Sequence, residues 1–412
     1  LTAPSVANDA AFNGSTNPYR WVVLAALWLL YFCFGVIVAS LAPLLLPITR
    51  DLDISHSAMG SVLGAWPLVY VAAAIPCGAI LDRVGPRRAL FIAALVLALS
   101  ALLRGSAQSY MALFLAVAVF GLGGPMISVG APKLVSLWFQ GAERGLAMGI
   151  YITGPALGAA ASLSFANSLL MPALDDNWRG VLMVYSAMAF FAGMVWLLVS
   201  LHPASRAMEA EIAAEPKTSQ REVLFNLLRL PAVLIILAMS VCMFFFSHSL
   251  NNWLAEILRS GGMSATRAGF WASMPMMIGI VSSLIIPRLA TPPRRMAILA
   301  ALIVCAGVAT LLLQAGDGPL LAVALTCQGI VRGPMVTVSV LLLMELKGVG
   351  SRHTGAASGL FFSAAEMGGV LGPLSIGVLH DATGGFSTGL YVLTAMCVLQ
   401  LALLALLRRF NR

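Results

Sequence analysis

With 60% of its 412 residues hydrophobic and only 10% charged, the chain lies far from the roughly 25% charge of an ordinary soluble domain. A mean hydropathy of +0.94 excludes such a domain and points to a protein solvated by lipid. The net charge of +8 then calls for a topological explanation before any partner is invoked.

Apolar runs of about 20 residues, enough to cross the hydrocarbon core, recur along the chain. They predict spans near 19–48, 57–81, 87–105, 111–138, 145–170, 178–201, 224–250, 267–288, 296–314, 319–346, 354–379 and 386–408. Runs of this length are helices, because a membrane barrel would show segments of about 10 residues alternating polar and apolar. The expected fold is an all-α membrane protein of twelve transmembrane helices. Residues 1–18 are polar and the first apolar run is too long for a cleavable signal, so none is expected. A polar stretch rich in Ala, Glu and Lys over residues 202–222 reads as a linker. It divides the chain into an N-terminal part, 1–201, and a C-terminal part, 223–412, of six spans each. The other loops are too short for a soluble catalytic domain.

The two parts repeat each other. Gly124-Pro125-Met126 returns as Gly333-Pro334-Met335, a shift of 209 residues, and Ser55 and Gly60 return at the same shift as Ser264 and Gly269. Gly145 and Gly149 return one position later as Gly355 and Gly359. Tyr185-Ser-Ala-Met188 returns as Leu393-Thr-Ala-Met396. Duplication of this kind builds a site at the interface of two bundles that rock against each other. It points to a transporter made of two six-helix repeats.

Charge sets the orientation. If the first span begins in the cytoplasm, that side holds Arg83, Arg87, Arg88, Arg144, Arg294, Arg295, Lys347, Arg352, Arg408 and Arg409, among others. About 17 of the 24 Lys and Arg then face the cytoplasm, against about five opposite: Arg50, Arg104, Arg179, Arg259 and Arg267. Both termini are expected to be cytoplasmic. The basic balance is topological, and no nucleic-acid partner is expected. The six cysteines, Cys33, Cys77, Cys242, Cys305, Cys327 and Cys397, fall inside spans without metal-type spacing and read as buried small hydrophobes.

Between spans 2 and 3 stands Pro76-Cys-Gly78-Ala-Ile-Leu81-Asp82-Arg83-Val-Gly85-Pro-Arg87-Arg88. This resembles the loop signature of the major facilitator superfamily, Gly-x-x-x-Asp-Arg-x-Gly-x-Arg-Arg. The second copy, Pro287-Arg288 to Arg294-Arg295, keeps the proline and paired arginines but has lost the acid. The resemblance implies that Asp82 meets the positive N-terminal end of span 11 and that Gly78, Arg83, Gly85, Arg87 and Arg88 complete a gating loop. The alternative for Arg87 and Arg88 is that they only fix topology. Gly149 to Gly158, with Gly154-Pro155 inside it, is similar to a pattern of proton antiporters. The comparable run Gly368 to Pro373 favours a packing use of small residues instead. Pro132-Lys133 ahead of Trp138-Phe139, the stretch from Gly145 to Gly149, Asn252-Trp253-Leu-Ala-Glu256 and the run from Gly355 to Gly384 resemble the cyanate and nitroimidazole branch and related small-anion carriers. Span 2 lacks the mid-span arginine expected of a close nitrate or nitrite carrier.

In that family spans 1, 4, 7 and 10 line the cavity. Ionisable residues deep in lipid are costly and default to function. Arg332 lies about 14 residues into span 10, a rise of about 21 Å, near the midplane. Glu366 lies about 12 residues into span 11, at similar depth. Arg332 reads as a fixed cation that grips a carboxylate-like anion through a bidentate fork, or else as a structural partner of Glu366. Glu366 reads as a proton acceptor or as a packing partner. In span 7, Ser247-His248-Ser249-Leu250-Asn251-Asn252-Trp253 sets polar residues in succession and predicts a broken helix lining water. His248 is a second candidate for proton coupling, or a solvated helix-end histidine. At least one of Asn251 and Asn252 is expected to hydrogen-bond substrate. Lys133 either snorkels to the interface or points inward as a second cation. Tyr31 and Phe34 flank a planar or apolar group, or serve only packing.

These residues predict a secondary active transporter that moves a small organic or inorganic anion by alternating access, coupled to protons. It is expected as a monomer in the lipid bilayer of a bacterial inner membrane, multi-pass and not an enzyme. No phosphate-binding loop of the Gly-x-x-x-x-Gly-Lys-Ser/Thr type is present, so ATP is not expected to drive it. No cofactor and no metal is expected. The alternative within the class is a proton-coupled exporter of lipophilic drugs, favoured by the Gly-Pro run and the 20 methionines. A membrane enzyme or receptor is opposed by the repeat and by the lack of nucleophile–base or metal spacing.

Overall fold

The structure, a computed structural model, describes residues 17–139, 141–205, 227–316, 318–346 and 354–410. The side chains of Gly78, Asp82 and Arg83 and most of the expected linker lie outside the described residues. Among the described residues, twelve helical segments are long and apolar enough to cross a membrane. Spans 1 to 6 are Tyr19–Asp51, His56–Ala74, Val84–Gly105, Tyr110–Val135, Leu146–Ala173 and Trp178–Ser200. Spans 7 to 12 are Pro231–Ser260, Ala265–Leu289, Arg295–Ala315, Pro319–Glu345, Ala357–Thr383 and Ser387–Arg409. Their outward faces carry large apolar side chains such as Phe191, Leu198 and Val398, each more than half exposed. A lipid-facing surface needs such side chains, since a polar group there would go unpaired.

Local chemistry sets the element ends. Ser55 accepts from the backbone N–H of Ala58 and so caps span 2; Ser264 does the same for Arg267 and caps span 8. These are N-caps, each satisfying one orphan donor of a helix start. Pro231 and Pro319 stand at the first turns of spans 7 and 10, where a missing N–H costs nothing. Spans 2 and 3 are separated by Gly85, whose φ of 81° breaks the helical path. Only glycine adopts that conformation without strain, which accounts for the glycine of the loop signature. Span 1 bends at Ala42–Leu44, a 3₁₀ turn containing Pro43.

Span 7 departs from expectation. It begins at Pro231 and continues without interruption to Ser260, so the polar run from Ser247 to Trp253 is not a break. Within that run Asn252 Nδ2 donates to the His248 carbonyl of its own helix at 2.8 Å, and Trp253 Nε1 donates to the Pro373 carbonyl of span 11 at 3.0 Å. The break lies in span 10 instead, between helices Pro319–Arg332 and Pro334–Glu345.

Glycines bring the bundle together. A Cβ on Gly158 of span 5 would meet the Phe32 carbonyl oxygen of span 1 at 2.0 Å. A Cβ on Gly372 of span 11 would meet the Phe245 carbonyl oxygen of span 7 at 2.5 Å. The Gly-Pro runs of spans 5 and 11 are therefore matched sites of close helix approach, the use small residues serve in lipid. The repeated Gly60 and Gly269 are likewise contact points: Gly60 faces Pro373 of span 11 and Gly269 faces Leu163 of span 5. These contacts join the first six spans to the last six.

Candidate functional site

The site is built around the break in span 10. Gly333, itself helical at φ −94° and ψ −46°, falls between the two helices of the span and packs so close to Ser283 that a Cβ there would lie 1.8 Å from its Oγ. Pro334 starts the second helix of the span. Arg332 thus sits at the junction of two half-helices, with the N-terminal end of Pro334–Glu345 beside it. A half-helix N-terminus carries partial positive charge and favours an anion. Gly279 of span 8 makes room for the arginine, since a Cβ there would stand 3.3 Å from Arg332 Cδ.

Arg332 is half-buried, and its Nη1 donates to Asn251 Oδ1 of span 7. Asn251 Nδ2 in turn donates to Ser247 Oγ at 3.5 Å. Arg332, Asn251, Ser247 and Gln328 line one narrow cavity together with Met243, Phe246, Val331, Met335 and Val336. Gln328 is buried and its Oε1 has no hydrogen-bond partner. Among the described residues, Arg332 forms no ion pair with any carboxylate. The guanidinium is held in place by a neutral amide. Asn252, by contrast, is turned to the backbone of its own helix.

Glu366 lies elsewhere from the position expected of an Arg332 partner. It is 6% exposed, and its Oε2 is 3.8 Å from His248 Nε2, too long for a hydrogen bond. That Oε2 has no hydrogen-bond partner. A carboxylate left so in a dry interior is costly unless it carries a proton or meets a cation. Gly369, one turn on, gives this pair its space: a Cβ there would lie 2.7 Å from Glu366 Oε2 and 2.9 Å from His248 Nδ1. The His248 ring is not at a solvated helix end. It is stacked between Trp66 of span 2, at 5.4 Å, and Phe244, at 5.3 Å.

Trp66 continues into a ribbon of rings from the first six spans. Phe120 lies 5.5 Å from Trp66, Phe34 lies 5.1 Å from Phe120, and Tyr31 is stacked on Phe34 at 5.7 Å. Tyr151 closes the ribbon edge-on to Tyr31 at 5.3 Å. Tyr31 and Phe34 are thus members of one aromatic wall. Trp66, Tyr151 and Gln328 were not singled out in the sequence, where aromatics and a single glutamine within apolar runs carry no distinguishing signal. Lys133 is half-buried, five residues before the end of the helix Tyr110–Trp138.

The two ends of the bundle differ. At the end carrying the loop signature, Arg87 Nη1 donates to the Ser200 carbonyl at 3.2 Å, while Arg88 is exposed. The contact expected between Asp82 and span 11 falls outside the described residues. At the opposite end, Asp381 of span 11 accepts from the backbone N–H groups of His56 and Ser57, at 3.2 and 2.7 Å, and from Ser57 Oγ. Thr266, the repeat counterpart of Ser57, donates to the Asn167 carbonyl at 3.3 Å. The bundle is closed at this end by a matched pair of contacts, one between spans 2 and 11 and one between spans 5 and 8. In the first, a carboxylate caps the start of a helix, the placement that stabilises a negative charge.

Comparison with known proteins fits this geometry. The chain is 24% identical over 366 residues to the uncharacterized transporter YycB of Bacillus subtilis (strain 168), covering 88% of this chain and 87% of that protein. It is 23% identical over 415 residues to the D-galactonate transporter of Escherichia coli O6:H1 (strain CFT073), covering 92% and 93%. It is 24% identical over 408 residues to a quinolone resistance transporter of Acinetobacter baumannii, covering 92% of each. In fold it resembles the crystal structure of a bacterial homolog of the human lysosomal transporter Spinster, in an inward-facing and unoccupied conformation. That resemblance has a TM-score of 0.76 at 16% identity, and covers 96% of this chain and 98% of that one. The profile of the Major Facilitator Superfamily matches residues 27–373. A match running through eleven of the twelve spans decides the matter: the chain is a multi-pass membrane protein of the Major Facilitator Superfamily.

Proposed function

We propose that the protein carries a small organic anion of carboxylate type across a bacterial inner membrane by alternating access, coupled to protons. The observation that carries this reading is Arg332: a cation at a helix break inside the membrane, anchored by neutral Asn251, with no carboxylate partner among the described residues. Such a charge is expensive to keep unless it has a ligand. A guanidinium fork matches a carboxylate in two parallel hydrogen bonds. The D-galactonate transporter among the relatives supports an organic acid as the class of cargo. Asn251, Ser247 and Gln328 supply polar contacts, and the wall from Tyr31 to Trp66 faces the anion's carbon skeleton. Glu366 and His248 form the proton-handling pair. Spans 1–6 and 7–12, joined through residues 202–222, are the two bodies that rock. The arginine-rich end and both termini face the cytoplasm by the positive-inside rule, so the state described is closed to the outside.

The competing reading, export of a lipophilic drug, is supported by the aromatic wall and by the quinolone resistance transporter among the relatives. A thermal-shift screen of purified protein with small carboxylates, cyanate, nitroaromatics and a quinolone separates the two, since a ligand stabilises the state it binds. We expect stabilisation by a carboxylate. Stabilisation by the quinolone alone would overturn the anion reading.

A further inference from the structure

At the closed end, the contact that seals spans 2 and 11 contains more than a helix cap. His56, from the start of span 2, and His380 and Asp381, from the end of span 11, present three donor atoms within 4.8 Å of one another. His56 Nδ1 stands 3.5 Å from Asp381 Oδ1, and His380 Nδ1 stands 3.7 Å from the same oxygen. The two imidazoles lie 3.8 Å apart, centroid to centroid. Helix capping explains Asp381 but neither histidine. His380 Nδ1 is buried and has no hydrogen-bond partner. Two imidazole nitrogens and a carboxylate oxygen within 4.8 Å of one another are a ligand set for a borderline divalent ion, which takes nitrogen and oxygen donors in a tetrahedral arrangement and completes its shell with water.

The surroundings fit. Phe386 packs 4.4 Å from His380, and Trp253 lies 5.8 Å from His56, so both rings are backed by apolar walls that limit their rotation. His56 and Asp381 are each more than a quarter exposed, which leaves the ion a route from water. Glu256, the other acid of this region, is already engaged by Arg259. We propose that His56, His380 and Asp381 form a binding site for a divalent ion of the Zn2+ class, bridging the first six spans to the last six. The ligands come together only while this end is closed. An ion bound there favours the closed state, because a ligand shifts a two-state equilibrium by its differential affinity, and its effect on transport is inhibitory. The chain shows no metal-ligand spacing because His56 and His380 come from opposite halves of the sequence.

The test uses the full chain purified in detergent, titrated with Zn2+ alone by calorimetry and followed by thermal unfolding. The expected result is saturable binding near one ion per chain and a Tm that climbs with the logarithm of Zn2+ concentration. His380→Gln and His56→Gln are each expected to weaken binding about tenfold or more, in line with the sensitivity of metal sites to their ligand shells. The Tm of His380→Gln without zinc is expected to match the parent. Mg2+, which prefers an all-oxygen shell, is expected to leave the Tm unchanged. Zinc binding of parental strength in both histidine variants, an equal response to Mg2+, or no binding to the parent would each overturn the proposal.

Discussion

Two arginines inside the membrane show how much a residue's surroundings decide. Arg104 is 1% exposed, and its contacts are structural, although its Nε and Nη2 find no hydrogen-bond partner. Its Nη1 donates to the Ile37 carbonyl at 2.8 Å and to Ser40 Oγ at 3.1 Å, and the guanidinium lies over the Phe120 ring at 5.4 Å. It closes the end of the first helix of span 1, where cations are favoured. In the sequence it counts as a loop charge, because nothing in the linear pattern shows that the bend of span 1 folds over it. Arg332 was legible because its depth is a property of the run containing it. Its partner was not: the sequence offers Glu366 as its counter-ion, whereas the structure gives it Asn251. Replacing that amide by an isosteric carboxylate, Asn251→Asp, supplies the fork with an internal anion. Hydrogen bonds to charged groups are worth about 1.5–3 kcal/mol, so ligand affinity is expected to fall about tenfold or more with the Tm preserved. Calorimetry of the variant checks this, and parental affinity would remove Arg332 as the anchor. Glu366→Gln keeps the shape beside His248 but cannot exchange a proton. It is expected to abolish accumulation driven by a pH gradient in proteoliposomes while exchange of substrate for substrate persists. Gradient-driven uptake in that variant would leave His248 as the coupling group.

Among the elements, the repeated landmarks have concrete causes. Ser55 and Ser264 are helix caps, while Gly60 and Gly269 are points of helix contact, so the repeat preserves how spans 2 and 8 begin and what they touch. Gly-Pro is the instructive exception. Gly124-Pro125 lies inside an unbroken helix, Tyr110–Trp138, whereas Gly333-Pro334 divides span 10. The same dipeptide yields two outcomes, and at the second Gly333 lies against Ser283 of span 8, a tertiary contact that local sequence does not encode. The polar run in span 7 likewise predicts a break, whereas Pro231–Ser260 is one continuous helix. The matched glycine contacts are testable directly. Gly158→Val would drive a side chain into the Phe32 carbonyl, and over-packing of this kind costs about 1–3 kcal/mol, so a lower Tm is expected. Gly359→Ala faces nothing within 4 Å and gains helix propensity of about 1 kcal/mol, so its Tm should hold or rise. Equal effects of the two substitutions would contradict the close-packing role of Gly158.

For the whole molecule, Asp381 places a carboxylate at the end of span 11, on the start of span 2. The resemblance of the loop signature implies the reciprocal contact, Asp82 toward the start of span 11, which lies outside the described residues. The twelve-span organisation was legible from hydropathy, charge and motif. The Asp381 contact was hidden, since Asp381 acquires its meaning only once residues more than 300 positions apart are brought together. A charge at a helix N-terminus contributes about 0.3–2 kcal/mol, enough to change a two-state population up to about thirtyfold. Asp381→Asn is therefore expected to open the His56 end more often and to speed labelling of a cysteine in the cavity by reagent added on that side. Asp82→Asn is expected to do the same from the arginine-rich end. Unchanged labelling in both variants would contradict a two-latch cycle.

The central claim is that Arg332 holds the anion. Its most direct test is counterflow in proteoliposomes with the carboxylate that stabilises the purified protein, comparing the parent with Arg332→Lys and Arg332→Ala. Both variants should fold, as judged by yield and Tm. Alanine should abolish exchange, and lysine should restore little of it because a point charge cannot reproduce the planar fork. Exchange at the parental rate in the lysine variant would contradict bidentate recognition, and exchange at that rate in the alanine variant would contradict the site itself.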